Sequence, residues 1–426
     1  MKIKSNSIFF VIILLIYLIF FFVIQSLFIF KAKINIKSKI NNNNKFILIY
    51  ENKYDYYSEK KYIEKDLIVN QTIIELIKIK NEVNHYIKIK EDDIKNNYFN
   101  RSKNPKITCI ITLYNQKNYI PLIYSSILNQ SFEDIEIIFI DDGSHDNPYN
   151  TLKKYMSKDK RIKYKKNKIN KGAFYSRIKG VKSSKGEYIL ILDPDDFIVN
   201  DILKKLYETA KKYNLDILQF YMIVGTPKKF RIWKKMKYKS GILYQPYIKD
   251  IFYYGKTRNI ADKFIKRKIF LKSTEFMKKE FRQERFFIYD DDVAFYGLIK
   301  SANSYGFLEN IGYFYRVDSP NSRMKIKHSP ANTNKVFRSL FSIMKYYFEQ
   351  SDNNNFEKKL VAYNFFSAKV CKYIKDINYL TGEFSYIIDC LNTYLKCPFF
   401  SKYQKKKINI FKKKIEIRRK SKLIKN

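Results

Sequence analysis

The 426 residues suffice for one large globular domain with appendages, and 46% hydrophobic residues allow a sizeable buried core. Against 83 Lys and Arg stand only 41 Asp and Glu, a formal charge of +42; the basic residues are spread along the chain beside heavy use of Ile, Asn, Tyr and Phe, so charge alone identifies no anionic partner. Cys109, Cys371, Cys390 and Cys397 form no CxxC pair and accompany just three His, which argues against a zinc site.

In chain order, a short tail (1–7) precedes a nearly unbroken apolar run (8–30), interrupted only by Gln25 and Ser26. About 20 apolar residues cross a bilayer as a helix. The run exceeds the apolar region of a cleaved signal peptide, and no A-x-A pattern follows it. The expectation is an uncleaved single-pass anchor in a lipid bilayer, with the following domain lumenal (Golgi or ER in a eukaryote). Residues 31–104 are rich in Lys, Asn and Glu and read as a stem.

From residue 105 the pattern becomes regular. Apolar runs at 107–115, 135–142, 187–193 and 216–224, and a shorter one at 162–165, predict strands; 118–129, 151–156, 170–184 and 202–213 have helical spacing. Alternating strand and helix predict an α/β domain over 105–330, a mostly parallel sheet flanked by helices. In such sheets ligands bind beyond the carboxyl ends of the strands. Thr112, Tyr114 and Asn115 follow the first strand, Asp141 and Asp142 the second, and Asp193, Asp195 and Asp196 the strand at 187–193. Each Asp taken singly can be a cap or a turn residue. Five at one edge repel one another, and a divalent cation would relieve that repulsion. The D-x-D in ILDPDD (191–196) presents two carboxylates towards one point, as oxygen-seeking Mg²⁺ and Mn²⁺ require when shared with a substrate's diphosphate.

These segments resemble the family 2 glycosyltransferases, which have the GT-A fold. ITLYNQKNYIPLIYSSILNQSFEDIEIIFIDDGSHDN (111–147) is similar to the family's opening. NKGAFYSRIKG (170–180) resembles N-x-G-x-x-x-A-R-N-x-G, LDPDD the metal motif, YDDDVAFYGLIKSA (289–302) the later Glu-Asp motif, and YFYR (313–316) the motif after it. The resemblance implies an inverting glycosyltransferase of the hexosyl or N-acetylhexosaminyl class, moving a sugar from a nucleotide-sugar, a UDP-sugar first, to a glycan, glycolipid or glycoprotein hydroxyl. It implies that Thr112, Tyr114 and Asp142 hold base and ribose, and that Lys171 and Arg177 lie near the diphosphate. Asp193 would face ribose or metal, and Asp195 with Asp196 would ligate Mn²⁺ or Mg²⁺. Asp292 would be the general base, with Asp291 the alternative and Asp290 a weaker one. Two departures stand out. The usual Glu-Asp is Asp291-Asp292 inside a run of three Asp, and in SRIKG Ile178 replaces Asn and Ser176 replaces Ala.

Between 224 and 289 the motif pattern weakens. Trp233, Phe252, Tyr253, Tyr254 and ADKFIKRKIF (261–270) read either as an acceptor-binding wall or as core packing. Beyond 330, helical spacing at Val336, Leu340, Met344 and Phe348 and a basic stretch at 405–425 predict a helical extension with a basic tail (331–426). Cys390 and Cys397 could bridge in a lumenal domain. The rival readings are a binding-only homologue, a nucleotidyltransferase, and a nucleic-acid binder. The glycine-free loop after the first strand argues against the nucleotidyltransferase. The predicted anchor argues against nucleic acid as a partner.

Overall fold

The computed structural model describes residues 37–40, 46–49, 76, 78–82, 84–86, 88 and 99–423, apart from 227, 234–240, 246, 255–257, 276–281, 283, 320–329, 351–369, 383 and 397–400. The chain divides into two compact units, Met1–Ile73 and Ile74–Asn426. What is described of the first is an antiparallel hairpin of Lys37–Ile40 with Phe46–Ile49. The expected anchor at 8–30 lies outside the described residues, and among those no helix is long and apolar enough to cross a membrane.

The larger unit opens with β1 (Ile107–Leu113), α1 (Ile120–Leu128), β2 (Ile135–Asp141), α2 (Pro148–Lys158), β3 (Ile162–Lys166), α3 (Ala173–Ser183) and β4 (Tyr188–Leu192). β1 pairs in parallel with both β2 and β4, and β2 with β3. Every residue of β1, β2 and β4 is buried, which is why their sequences are continuous apolar runs rather than alternating ones. On β1, Ile107, Cys109, Ile111 and Leu113 pack with Ile123 and Ile127 of α1 and Leu152 of α2. Ile110 turns to the other face, with Phe174, Ile178 and Val181 of α3. Burial pushes the Cys109 thiol up to about 12.

β5 (Phe197–Ile198), α4 (Ile202–Lys212), β6 (Ile217–Thr226), β7 (Lys229–Ile232), β8 (Ile242–Tyr244), α5 (Ile248–Tyr254), β9 (Lys263–Lys266), α6 (Arg267–Glu275), α7 (Asp290–Ser301) and β10 (Ser304–Arg316) follow. The strand order is β8-β10-β6-β9-β4-β1-β2-β3, with β5 on β10 and β7 on β6. β9 lies antiparallel between β4 and β6, β10 runs parallel to β6, and β8 is antiparallel to β10. The sheet is therefore mixed, which corrects the expected mostly parallel one. The reason is local: β9 is four residues, KFIK, in a charged segment with no long apolar run to announce it.

Two segments outside 105–330 pack into the same unit. Ile79 and Tyr86, from the stretch read as stem, are buried against Leu122, Phe197 and Phe314. The Tyr86 hydroxyl donates to Asn200 Oδ1 at 2.5 Å. After residue 330, α8 (Thr333–Gln350), a 3₁₀ stretch (Val370–Tyr379), α9 (Phe384–Lys396) and α10 (Lys402–Leu423) follow. They add Phe337, Leu340, Met344, Tyr373, Leu391 and Phe411 to the core beside α7. Cys390 is a buried free thiol, and Cys397 lies outside the described residues.

Candidate active site

Three parallel strands end side by side, with Leu113 of β1 opposite Asp141 of β2 and Ile111 opposite Leu192 of β4. The loops beyond them are laced together. Asn115, held at φ 53°, donates its N–H to Ser144 Oγ at 3.0 Å and accepts from the His145 N–H at 2.9 Å. Asp141 accepts from the Ser144 N–H at 2.8 Å and the Tyr164 hydroxyl at 2.6 Å. Gly143 sits at φ 77°, and a Cβ there would lie 2.8 Å from the backbone of Ile169 and Asn170, so both conformation and space require glycine in the DDGS turn. Thr112 is buried in β1, while Tyr114 is exposed just beyond it.

Asp142 does something its motif position did not announce. Its Oδ1 accepts from Asn167 Nδ2 and the Lys171 N–H, both at 2.8 Å, and its Oδ2 from the Gly172 N–H at 2.7 Å. This buried carboxylate ties the loop before α3 to the end of β2. Lys171 takes part through its backbone, and its side chain is exposed. Nothing in the sequence pattern marks Asn167. Its Nδ2 also reaches Ser176 Oγ at 2.9 Å, so the Ser that replaces the family's Ala supplies an extra acceptor inside α3.

Arg177, one residue on, is buried and meets three carboxylates. Its Nη1 donates to Asp290 Oδ2 at 2.7 Å and Asp291 Oδ1 at 2.6 Å, and its Nη2 to Asp193 Oδ1 at 3.1 Å. A buried cation persists only where partners replace its hydration. Here Asp291, Asp290 and Asp193 together raise the guanidinium's affinity for its proton above the ordinary value although desolvation opposes them. One side chain thus joins the DPDD turn to the first turn of α7.

Within DPDD the acids differ. Asp196 is fully buried; its Oδ2 accepts from the Tyr313 hydroxyl at 2.7 Å and its Oδ1 from the Arg316 N–H at 2.8 Å. The Tyr313 oxygen also accepts the Asp193 N–H at 3.1 Å. YFYR thus clamps the turn, a role that no polar pattern in an apolar strand signals. Burial first, then Asp195 and Asp193, lift the Asp196 carboxyl well above the usual range. Burial, then Asp193, also raise Asp195, against a hydrogen bond from Ser319. Among the described residues no group of three or more His, Cys, Asp or Glu could hold a metal by itself. Asp193 and Asp195, one residue apart and mutually repelling, carry the carboxylate oxygens that a hard cation takes, its remaining oxygens coming from a diphosphate and water.

The three acids of α7 lie in its first turn, where the helix dipole favours negative charge. Tyr289 at φ 60° starts the turn. Asp291 keeps 30% side-chain exposure and Asp292 only 5%. Asp292 Oδ1 pairs with Arg258 Nη1 at 3.3 Å, and that guanidinium stands 4.4 Å over the Phe252 ring. Nothing in the sequence pattern marks Arg258. Phe252 itself belongs to the core, beside Tyr296 and Tyr347.

Residues 108–274 match the model of glycosyl transferase family 2. A cholesterol galactosyltransferase of Borreliella burgdorferi is 29% identical over 239 residues, 52% of this chain and 64% of that protein, so the chain spans less than two thirds of that relative. The poly(ribitol-phosphate) beta-N-acetylglucosaminyltransferase TarP of Staphylococcus aureus is 26% identical over 301 residues, 68% of this chain and 88% of that protein. A crystal structure of S. aureus TarS 1-349 in complex with UDP-GlcNAc superposes with a TM-score of 0.54 at 19% identity, covering 68% of this chain and 81% of that one; the likeness is one of fold, GT-A. These relatives are bacterial, and among the described residues no helix is long and apolar enough to cross a membrane, so the expected single-pass placement with a lumenal Golgi or ER domain is not supported. The DDGS turn, the Arg177 helix and the DPDD turn all fall inside the matched segment, so residues 108–274 form a family 2 glycosyltransferase segment.

Proposed function

We propose that the chain transfers a hexosyl or N-acetylhexosaminyl group from a UDP-sugar to an acceptor hydroxyl of a glycan or glycoconjugate, with inversion at the anomeric carbon. The observation that carries this is the double engagement of Arg177 by Asp193 on the DPDD turn and Asp291 on α7. It sets the acids suited to the leaving diphosphate beside the acids suited to deprotonating an acceptor. The relatives supply the substrate class: TarP is named for N-acetylglucosamine transfer, and a TarS structure holds UDP-GlcNAc.

In this reading Tyr114, exposed beyond β1, offers a ring face to the base, and Thr112 lies just behind it. Asp193 and Asp195 hold Mn²⁺ or Mg²⁺, whose chemistry when bound is to neutralise charge on the diphosphate. Asp196 keeps the turn in shape through Tyr313 rather than meeting the cation. Arg177 balances Asp290 and Asp291, so that repulsion does not push the start of α7 away from the donor turn. Asp292, the second acid of the motif pair, takes the proton of the acceptor hydroxyl as its oxygen attacks the anomeric carbon. Its attack on the face opposite the diphosphate gives inversion. Asp291, the more exposed acid, is the competing assignment.

The test is UDP release by the purified chain with UDP-GlcNAc, UDP-glucose and UDP-galactose, with Mn²⁺ and with EDTA. Turnover of one donor, abolished by EDTA, is the expected result. Tight donor binding without turnover under any metal would leave a binding-only homologue. Metal-independent turnover would remove the cation from the reading while leaving the transfer.

A further inference from the structure

The last helix carries two apolar faces, and among the described residues one of them is packed into the core. On α10, Ile408, Phe411 and Ile415 are buried, with Phe411 against Phe337 and Phe341. Those three residues fix which side of the helix faces the core. The opposite side carries Tyr403, Ile410 and Ile417, exposed by 60, 47 and 58%. They recur every seven residues, a spacing that keeps side chains in one row along a helix with only about 20° of drift per repeat.

Lysines border the row on both sides. Lys406, Lys413 and Lys420 form a second seven-residue row on one flank, and Lys407 and Lys414 lie on the other. Lys407 rests on the Tyr403 ring, 4.7 Å from its centroid. The charge here exceeds the bias of the whole chain. Of the 22 residues of α10, 11 are Lys or Arg and one is acidic, whereas Lys and Arg make up 83 of 426 overall. The single acid, Glu416, pairs with Lys412 away from the exposed row.

We infer that the outward face of α10 docks on an anionic lipid surface, with the helix lying along it. Apolar residues in a row flanked by lysines suit a bilayer interface, where the apolar side chains enter the headgroup boundary and the ammonium groups reach anionic headgroups. Nucleic acid would use the lysine rows and leave the apolar row exposed. A second copy of the helix would bring lysine rows against lysine rows. This mode lies on a bilayer and needs no spanning helix.

The test places a reporter in the row: Ile410→Trp in the full chain, with Trp233→Phe removing the single native tryptophan. Emission is followed on adding phosphatidylcholine vesicles with and without phosphatidylglycerol. Every arm contains residues 8–30, and the emission reports the environment of position 410 alone. The expected result is a blue shift with the anionic vesicles, reversed by salt, and little change with neutral ones. Adding Lys413→Gln and Lys414→Gln should weaken partitioning by about 30-fold, since each lysine near an anionic surface contributes about 1 kcal/mol. A circular dichroism spectrum matching the parent checks the fold of each variant. No shift with anionic vesicles would overturn the inference. So would an equal shift with duplex RNA, or one that grows with protein concentration in the absence of lipid.

Discussion

From β3 to β4 every neighbouring pair of strands is parallel, whereas from β4 to β8 antiparallel pairs predominate and only β6 and β10 run together. The two halves of the sheet contribute to the candidate site differently. The parallel half supplies strand ends, so its polar residues sit where topology puts them: Thr112, Asp142 and Asp193 each follow or close a buried run. The mixed half supplies a helix start, the three acids of α7, and a clamp, Tyr313 on β10. Arg177 joins the halves. The difference teaches that a parallel half can be read from one strand at a time, while the mixed half acquires its meaning only from what packs across it.

The largest effect should come from the parallel half. Asp195→Ala should lower turnover on the order of 10³-fold, because metal stabilisation of the leaving group contributes several kcal/mol to the transition state. The folded domain should persist, as judged by an unchanged denaturation midpoint. Undiminished turnover in the presence of EDTA would show that the DPDD turn is structural alone. Next is the mixed half. Asp292→Asn keeps the shape of the carboxylate and removes its basicity, so transfer should fall about 10²-fold or more while donor binding is retained. If Asp291→Asn is the inactive variant instead, the exposed acid is the base. A product that keeps the donor's anomeric configuration would remove direct displacement altogether.

Arg177 tests the connection itself. Replacing it with Met leaves Asp193, Asp290 and Asp291 without their shared cation. Breaking a buried ion pair by removing one partner costs about 3–5 kcal/mol, so the unfolding midpoint should drop strongly. An unchanged midpoint would mean the halves are held by packing and not by charge. Tyr313→Phe is milder. It removes the hydroxyl from Asp196 and from the Asp193 N–H, and one unsatisfied buried group costs about 1–3 kcal/mol. The loss should show in urea unfolding, with a lower turnover as the turn loosens.

The sequence was legible where burial and function leave opposite marks on adjacent residues. ILILD and IEIIFIDD each pass from apolar to acidic within one step, so strand, strand end and ligand edge are all visible at once. β9 left no such mark, and neither did the burial of Arg177 against Asp193, Asp290 and Asp291. The acids of one motif also divide by partner, which no spacing reveals. Asp195 and Asp196 are neighbours, yet only Asp196 receives Tyr313 and the Arg316 N–H, both delivered from 117 and 120 residues later. Arg258 was hidden for the same reason: its two partners, Phe252 and Asp292, lie on different helices.

The smallest expected effect concerns the departure at Ser176. In the resembling motif this position is Ala, so Ser176→Ala restores the usual residue. The hydroxyl accepts from Asn167 Nδ2 at 2.9 Å, and the same nitrogen also donates to Asp142 Oδ1 at 2.8 Å. Removing the hydroxyl therefore leaves Asn167 with its Asp142 partner and leaves no buried donor wholly unsatisfied. A typical intramolecular hydrogen bond contributes about 0.5–1.5 kcal/mol, and the higher intrinsic helix propensity of Ala offsets part of that loss. The net change in stability should be under about 1 kcal/mol, with donor turnover unchanged, because Arg177 keeps its place on the next residue of α3. A larger loss would mean that Asn167 needs both acceptors to hold the loop that Asp142 ties down. The parallel half would then depend on side-chain contacts beyond its strands, as the mixed half does.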